Sequence, residues 1–437
     1  MSRLLLLLLV LAPLAPEAQD VAVLPMRERA AVQDQWLEHR LETVVPELMR
    51  REGIDLWIIA AREYNEDPVI ETMLPATWLA ARRRTVLVFH DDGETVERMA
   101  VARYDVGPFP RAWDPEAQPD QWGRVADLIE ARDPQRIGIN TSSLFATADG
   151  LTASEHEALL AALPERFHDR LVSAEHLSVG WLETRTEPEM ATYPAVVALA
   201  RAIHHAGLSP EAITPGVTTT DDLAWWYRDR VRALGLTTWF HPGVSVQRAS
   251  GDERDGDFSS RDGAQVILPG DLVWVDFGIS YLGLMTDTQQ MAYVLRPGET
   301  EAPAGLTAGL RAANRVQDLL TGSFARGTSG NAILAEALEA SRAEGLDATI
   351  YTHPIGLHGH GAGPTIGLWD QQGGVPGRGD YPLYPNTAHS IELNVAASVP
   401  EWGGQRVRFM LEEDAFFDGE RVTYLDGRQT ALLLIGG

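Results

Sequence analysis

The sequence predicts an α/β (α+β) chain with two domains, and three observations carry this prediction. The chain has 437 residues, of which 45% are hydrophobic, and this is enough for two separate cores. Helix-like and strand-like patterns alternate over residues 22–181, which indicates a mixed α/β N-terminal domain. The polar stretch at residues 183–188 is typical of a domain boundary, so we expect a second domain over residues 185–437.

The individual elements follow from the spacing of apolar residues and from turn residues. We expect a helix over residues 34–54, because the glycine at position 53 is typical of a helix end. Turn residues at 90–93 separate two strand-like runs, which predicts a hairpin of residues 85–89 and 96–101. The other predicted elements are strands at 56–60 and 136–140, and helices near 122–132, from residue 152, at 220–234, 305–321 and 329–345.

Two aspartates lie in unusually apolar surroundings within residues 268–294. Asp276 ends the apolar run at 272–275, and Asp287 follows after ten intervening residues. A Pro-Gly-Asp turn, two strand-like runs and a bend that contains glycine predict a β-hairpin that carries both carboxylates. A carboxylate on a largely buried strand is costly unless it is paired or bound to a metal ion. The pair therefore suggests a bound cation; the alternative is that each carboxylate only accepts hydrogen bonds from nearby turns.

Three later segments add further side chains that bind metals. Residues 352–370 contain histidines among glycines, and residues 388–395 and 407–417 contain glutamates in apolar runs, which we expect to be strands. The candidate side chains in these segments are His353, His358, His360, Glu392, Glu412 and Glu413. Two aspartates, one histidine and two glutamates form an oxygen-rich set with one nitrogen, which suits two divalent ions such as Mn, Zn, Co or Fe.

The order of these motifs resembles that of the metallopeptidase family of methionine aminopeptidase, aminopeptidase P and prolidase. An Asp, ten residues, a second Asp, a Gly-His-Gly motif, a Glu in an apolar run and a Glu-Glu-Asp motif follow one another within residues 185–437. The resemblance implies the pita-bread fold for this domain and a creatinase-type N-terminal domain. It also implies that two metal ions are held by Asp276, Asp287, His360, Glu392 and Glu412, with Asp287 and Glu412 bridging both ions.

Two of these ligand assignments have competitors. His358 competes with His360, although only His360 has a glycine on both sides. Glu413 competes with Glu412, and the alternation of side chains along a strand allows only one of the two to face the metal ions. The resemblance favours Glu412, because the first Glu of the family's Ile-Glu-Glu-Asp pattern is the ligand.

The chain departs from the family on the substrate side of the predicted metal centre. The family usually has two further histidines there, but the downstream position falls at or near Trp369, and the upstream position falls near residues 258–260, which contain no histidine. The arginine that often lies two residues before the last ligand is Met410 in this chain. We therefore expect His353 and His358 to act as catalytic hydrogen-bond donors from a different direction.

The resemblance implies hydrolysis of the N-terminal peptide bond of short peptides, with Xaa-Pro peptides as candidate substrates. A metal-bridging hydroxide would attack the carbonyl, and Glu392 would transfer the proton to the leaving amine. The missing substrate-side histidines leave two alternatives, a peptide-binding pseudoenzyme and a metallohydrolase of non-peptide substrates. The chain has no cysteine and no Gly-x-Ser-x-Gly motif, so the sequence predicts neither of those nucleophiles.

Residues 1–18 and the overall charge predict the location and the partners. A short basic tip followed by an apolar stretch is typical of a secretory signal peptide, with an uncleaved anchor as the alternative. The lack of cysteine fits a periplasmic or secreted protein without disulfides. The net charge of −26 argues against nucleic acid as a partner. After signal removal we expect no membrane span, and the resemblance makes a homodimer a candidate assembly.

Overall fold

The computed structural model describes residues 23–249 and 263–436. The predicted signal peptide at 1–18 and the segment at 258–260 lie outside the described residues. The predicted α/β class with two domains is confirmed, because one sheet lies within residues 56–173 and further sheets follow from residue 243 onward. The exact domain limits stay predictions. Across the described residues, no helix has both the length and the apolar composition that crossing a membrane requires.

The N-terminal half is built on a five-stranded mixed sheet with the strand order β3-β2-β1-β4-β5. Strand β1 pairs with β2 in antiparallel and with β4 in parallel orientation, and the predicted hairpin of β2 and β3 is confirmed. The elements in chain order are α1 (Met26–Glu52), β1 (Leu56–Arg62), α2 (Pro68–Glu71), β2 (Arg84–Asp91), β3 (Val96–Val101), α3 (Gln121–Arg132), β4 (Ile137–Ile139), α4 (Ala153–Ala162) and β5 (Leu171–Ser173).

Helices cover both faces of this sheet, and the side chains of β1 show how. Trp57 and Ile59 pack in one core with residues of α1, whereas Leu56 and Ile58 pack in another core with residues of α3 and α4. Successive side chains of a strand point to opposite faces, so a strand that is buried on both faces is apolar at nearly every position. This explains why the predicted strand at 56–60 has no polar residue.

Residues 183–189, the connecting segment, join the two halves through buried charges. Glu189 accepts hydrogen bonds from Arg40 of α1, with an ion-pair distance of 3.0 Å, and lies 3.5 Å from Arg185. Arg40 also donates to the backbone carbonyls of Thr184 and Trp181. These contacts hold α1 against the connecting segment. The helices of this region are α5 (Glu175–Glu183), α6 (Glu187–Met190), α7 (Tyr193–Gly207) and α8 (Thr220–Ala233).

The C-terminal half contains several small sheets with two helices packed against them. Its strands form sheets with the orders β18-β10-β7-β6, β11-β14-β15, β12-β13-β16-β17 and β8-β9. The elements are β6 (Gly243–Gln247), β7 (Leu272–Phe277), β8 (Ser280–Tyr281), β9 (Leu284–Met285), β10 (Thr288–Val294), α9 (Ala304–Gly322), α10 (Gly330–Ala343), β11 (Asp347–Ile350), β12 (His353–Ile355), β13 (Thr387–Ser390), β14 (Leu393–Val399), β15 (Gln405–Leu411), β16 (Asp414–Phe417), β17 (Val422–Tyr424) and β18 (Leu433–Ile435).

Three stretches of chain pass between the sheet of β11, β14 and β15 and the sheet of β12, β13 and β16, and each has a break of two residues at the crossing. The breaks are residues 351–352, 391–392 and 412–413. They lie side by side, because Tyr351 N–H donates to Glu392 O at 3.1 Å and Ile391 N–H donates to Glu413 O at 2.9 Å. The prediction that Glu392 and Glu412 lie within strands is therefore wrong, because each lies in a break of two residues between strands. Both glutamates occupy breaks, which the continuous apolar pattern of the sequence does not reveal.

Candidate metal centre

The hairpin of β7 and β10 places the two aspartates. The strands are antiparallel, as predicted, with Asp276 opposite Gln289 in the register. Asp287 lies immediately before β10, and its backbone N–H donates to the carboxylate of Asp414 at 3.2 Å. The hydrogen bond restrains the backbone at the point where the second carboxylate leaves it, so both acids project from the same end of the hairpin.

The three breaks bring the other candidate side chains to this end of the hairpin. His353 begins β12 directly after the first break, and Glu392 and Glu412 lie in the other two. Gln289 N–H donates to Glu412 O at 3.0 Å, which joins β10 to the third break. Ser390 Oγ donates to Asp287 O at 2.9 Å, which joins the start of β10 to the chain just before the second break. Residues far apart in sequence therefore meet at one place.

Side chains of six residues converge in three overlapping groups, and within each group the possible ligand atoms lie within 4.8 Å of one another. The groups are Asp276, Asp287 and Glu412; His353, Glu392 and Glu412; and Asp287, His353 and His360. Because Glu412, Asp287 and His353 each belong to two groups, neighbouring cation positions can share them. All five side chains that the sequence predicts as ligands occur in these groups, and their role as ligands stays a prediction.

The surroundings of His353 show that a cation fits here. Its Nδ1 lies 3.0 Å from the carbonyl oxygen of Pro354, which can only accept, so Nδ1 carries the hydrogen and Nε2 keeps a lone pair. Nε2 lies 3.4 Å from Glu412 Oε1 and 3.7 Å from Asp287 Oδ2. Within the described parts of the chain, no hydrogen-bond partner reaches His353 Nε2, Glu412 Oε1 or Asp287 Oδ1, although all three atoms are buried. Lone pairs that face one another in a buried space suit a divalent ion between them.

Repulsion among the carboxylates also indicates a site for divalent ions. Burial raises the pKa of Asp287 well above its usual value, and the charges of Glu412 and Asp276 raise it further. Burial also raises the pKa of Glu392, again with contributions from Glu412 and Asp276. For Glu412 burial raises the pKa to about 7. Divalent ions would offset this repulsion and favour the ionised carboxylates.

The three histidines of residues 353–360 have different surroundings. His353 is buried and belongs to two of the three groups, whereas His360 is exposed and belongs to one, with its ring centroid 4.8 Å from that of His353. His358 belongs to none of the groups found among the described residues, and its pKa is lowered by burial and by Arg185. The sequence predicted His353 only as a hydrogen-bond donor, but of the three histidines it lies closest to the carboxylates. His360 lies farther out, on the exposed side of His353.

Glu412 and Glu413 point to opposite sides of the third break, as the alternation argument requires. Glu412 Oε2 accepts a hydrogen bond from Gln289 at 2.9 Å on the side of the cluster. Glu413 Oε1 accepts hydrogen bonds from Gln290 Nε2 at 3.2 Å and from the backbone N–H of Gln429 at 2.6 Å. The structure therefore places Glu412 in the cluster and Glu413 on the other side, where Arg201 also lies 3.5 Å from Glu413 Oε2.

A sequence model described as metallopeptidase family M24 matches residues 193–411. The chain belongs to this family. Its fold is similar to that of an X-Pro aminopeptidase from Thermotoga maritima, with a TM-score of 0.63 and 16% identity over 89% of this chain and 99% of that chain. An Xaa-Pro dipeptidase from Bacillus anthracis has a TM-score of 0.60 and 17% identity over 94% and 100% of the two chains. For a dipeptidase from Mycobacterium ulcerans the values are 0.57 and 19% over 95% and 98%. No curated protein matches the sequence.

This M24 centre contains three residues that the sequence motifs did not single out. Gln289 donates to both glutamates of the cluster, and its position two residues after Asp287 on β10 was a signal that alternation could have used. Tyr351 and Trp239 form an aromatic wall beside His360, at ring-centroid distances of 6.0 and 5.1 Å. Only the tertiary structure brings this wall together, since Trp239 lies more than a hundred residues before the histidines.

Glycine at position 359 explains how the histidine loop approaches this wall. A Cβ atom at Gly359 would lie 2.3 Å from the ring of Trp239, which is far inside van der Waals contact. The indole is itself held, because its Nε1 donates to Thr286 O at 3.0 Å. Any larger residue at 359 would push the loop of the M24 domain, and with it His360, away from the cluster.

Trp369, at or near the position of a histidine in M24 peptidases, lies elsewhere. Its side chain is 48% exposed, and the backbone around it forms a turn in which Gln371 N–H donates to Leu368 O at 2.8 Å. Met410 is buried in β15. In the described parts of the M24 domain, His360 at the exposed edge of the cluster therefore borders the aromatic wall, and Trp369 belongs to the surface.

Proposed function

We propose that this M24 metallopeptidase is an exported dinuclear enzyme that hydrolyses the N-terminal peptide bond of short peptides, with Xaa-Pro peptides as its substrates. Membership of the family supports the peptidase activity. Two proteins of similar structure, an X-Pro aminopeptidase and an Xaa-Pro dipeptidase, support the choice of substrate. Both similarities extend over nearly the whole of the other chain, so the two-domain arrangement is shared as well.

The overlap of the ligand groups carries the dinuclear part of the proposal. Asp276, Asp287 and Glu412 offer one position with three carboxylates, and His353, Glu392 and Glu412 offer a second with a nitrogen donor. Glu412 belongs to both positions and would bridge them. Four carboxylates balance the charge of two dications, and this mixture of oxygen and nitrogen donors suits Mn, Zn, Co or Fe.

The residues of the site can supply the remaining chemistry. When bound, two divalent ions would lower the pKa of a water molecule and polarise the scissile carbonyl. Glu392 accepts the proton of the attacking water and returns it to the leaving amine. Gln289 donates to Glu392 Oε1 at 2.7 Å, which leaves Oε2 as the oxygen that faces the metal positions. His360 lies at the exposed edge of the cluster and would donate a hydrogen bond to the substrate carbonyl oxygen.

Metal content and peptide hydrolysis test the proposal together. Purified protein should contain about two Mn, Zn, Co or Fe ions per chain and release the N-terminal residue from Xaa-Pro peptides, and a chelator should stop the reaction. Asp276→Asn provides the matched variant, because it removes one carboxylate of the first group only. Two bound ions without any hydrolysis would favour a binding role or a non-peptide substrate. A protein that binds no metal would contradict the proposal.

The export part of the proposal rests on residues 1–18 alone. Expression of the full chain in a bacterial host, followed by fractionation and mass spectrometry, gives its test. We expect activity in the periplasmic or secreted fraction and a mature N-terminus near residue 19. A cytoplasmic protein with an intact first residue would contradict export and would leave the peptidase proposal untouched.

A further inference from the structure

Gln289 contacts the two glutamates of the cluster, Glu392 and Glu412. Its side chain is buried, with 3% of its surface exposed, and its Nε2 donates to Glu392 Oε1 at 2.7 Å and to Glu412 Oε2 at 2.9 Å. The glutamates come from two different breaks, 391–392 and 412–413, so this one amide connects them. Each of its two amide hydrogens is directed to a different carboxylate.

The orientation of this amide follows from its third contact. Trp274 Nε1 lies 3.0 Å from Gln289 Oε1, and an indole N–H can only donate. The amide oxygen must therefore face Trp274, and the NH₂ group must face the two carboxylates. The reversed orientation would place two donors against each other and an oxygen against two acidic groups. Trp274 thus determines which end of the amide the glutamates meet.

We propose that Gln289, held by Trp274, is a positioning residue that determines which oxygen atoms of Glu392 and Glu412 face the metal ions. This inference rests on the proposed metal-dependent function. Gln289 engages Oε2 of Glu412, and the other oxygen, Oε1, is the atom that lies 3.4 Å from His353 Nε2. By holding one oxygen of each glutamate, the amide directs the opposite oxygen toward the cations.

A neutral donor suits this position better than a charged one. The cluster is built from carboxylates whose repulsion a divalent ion would offset, and an arginine or lysine at 289 would neutralise part of that charge itself. An amide donates two hydrogen bonds and adds no net charge, so the full negative charge stays available to the metal ions. Hydrogen bonds to ligands in this manner typically change metal affinity about 10- to 100-fold.

The neighbouring residue on β10 provides a matched control. Gln290 has the same side chain, is equally buried at 2% exposed, and donates through Nε2 to a glutamate, Glu413, at 3.2 Å. Because alternate residues of a strand point to opposite faces, Gln290 lies on the side away from the cluster. Gln289→Met and Gln290→Met remove equivalent amides from equivalent depths, and only the first amide contacts predicted ligands.

The test compares cobalt binding by the wild-type chain and these two variants. Titration calorimetry gives the dissociation constant, and the visible absorption of bound Co²⁺ reports its coordination. We expect Gln289→Met to weaken Co²⁺ binding about 10- to 100-fold and to change the absorption spectrum. Gln290→Met should bind Co²⁺ as the wild type does and give the wild-type spectrum, even if its thermal stability falls.

Trp274→Phe provides a second variant that does not depend on the folding of Gln289→Met. It replaces the half-buried indole by a smaller aromatic ring without the N–H, so the amide can rotate while it remains present. We expect the same spectral change with a smaller loss of affinity. Wild-type affinity and spectrum in both Gln289→Met and Trp274→Phe would overturn the positioning role. Failure of the wild-type chain to bind Co²⁺ would instead overturn the proposed function.

Discussion

Glu189 in the connecting segment and Glu412 in the metal centre are equally buried, each with 1% of its surface exposed, but they have opposite surroundings. Glu189 lies between the guanidinium groups of Arg40 and Arg185. Glu412 faces His353 and the other acids of the cluster, and its side-chain hydrogen-bond donors, Gln289 and Ser390, are both neutral. The chain therefore supplies its own cations to one buried acid and neutral donors to the other.

The pKa values of these two acids differ accordingly. Burial acts to raise the pKa of Glu189, but Arg40 and Arg185 together with hydrogen bonds from Thr186 lower it below the usual value. For Glu412 burial raises the pKa to about 7, and hydrogen bonds oppose the rise only in part. A structural acid is thus stabilised in the ionised form by the fold itself, whereas a ligand acid needs an added cation.

Asp287→Asn should have the largest effect on function. The variant removes a carboxylate that belongs to two ligand groups. The metal ions would then stabilise the transition state less by several kcal/mol, which corresponds to a fall in activity of roughly 1,000-fold. The free energy of unfolding of the metal-free protein should stay the same or rise, because one repulsive charge is gone. Hydrolysis rates, metal content and urea denaturation of the chelated protein measure these effects. Full activity with full metal content would contradict the ligand role.

Glu189→Gln should have the opposite profile. It leaves Arg40 and Arg185 buried without their carboxylate, which costs about 3–5 kcal/mol of unfolding free energy. The control is Glu130→Gln, which breaks an exposed ion pair with Arg166 and should cost less than about 1 kcal/mol. Urea denaturation measures both variants. Equal losses in the two variants would show that the buried pair is no more important than a surface pair.

Removal of the metal ions should destabilise the wild-type chain. A ligand that binds only the folded state adds about 2.7 kcal/mol when its concentration is 100 times the dissociation constant. Thermal unfolding with metal in excess and after chelation measures the difference. Glu189→Gln should keep the same metal-dependent gain, because its site lies in the connecting segment, whereas Asp287→Asn should lose it. A wild-type transition that chelation does not move would contradict metal binding in the cluster.

Glu183 is a third buried acid, and its titration should make the free energy of unfolding depend on pH. Burial raises its pKa to about 8, while the hydrogen bond from Tyr381 and the charges of Arg51 and Arg185 oppose this rise. At a pH between the pKa of Glu183 in the unfolded chain and its higher pKa in the folded protein, the carboxyl group is protonated in the folded state and ionised in the unfolded state. This contribution to stability is complete below the unfolded pKa and is lost as the pH rises through about 8. Between pH 6 and 8, we expect the unfolding free energy of the wild type to fall by about 2 kcal/mol relative to Glu183→Gln.

Urea denaturation of both proteins at several pH values, with the metal content held constant, measures this difference. Glutamine imitates the protonated carboxyl group and cannot titrate, so the variant isolates the contribution of Glu183 from those of the histidines. Parallel pH profiles of the two proteins would contradict a raised pKa at this position.

Trp369→Ala should have the smallest effect. The side chain is 48% exposed and lies outside the three ligand groups, so the unfolding free energy should change by less than about 0.5 kcal/mol. Metal affinity should not change. Kinetic constants for Xaa-Pro peptides and a metal titration measure the outcome. A large rise in KM would show that Trp369 contacts the substrate in spite of its exposed position, and a loss of metal would contradict the surface assignment.

The sequence predicted the local geometry around the candidate ligands where local pattern and chemistry agree. The hairpin of β7 and β10 follows from two apolar runs and a turn, and it brings Asp276 and Asp287 to one end. The choice of Glu412 over Glu413 agrees with their observed directions, because alternation of side chains survives across the break. Local patterns failed for Glu392 and Glu412 as strand residues, since a crossing between two sheets leaves the apolar pattern unbroken.

The amino-acid sequence by itself determined the α/β class, the order of the acidic and histidine motifs and the kind of cation they suit, because side-chain chemistry and local periodicity are written in the residues. Only the tertiary structure decided that His353 lies deeper in the cluster than His360, that His358 belongs to none of the ligand groups found among the described residues, and that Gln289 connects two glutamates. These facts depend on three chain breaks that lie side by side in space while 40 residues separate Thr352 from Glu392. Sequence spacing contains no information about which of such distant segments will be neighbours.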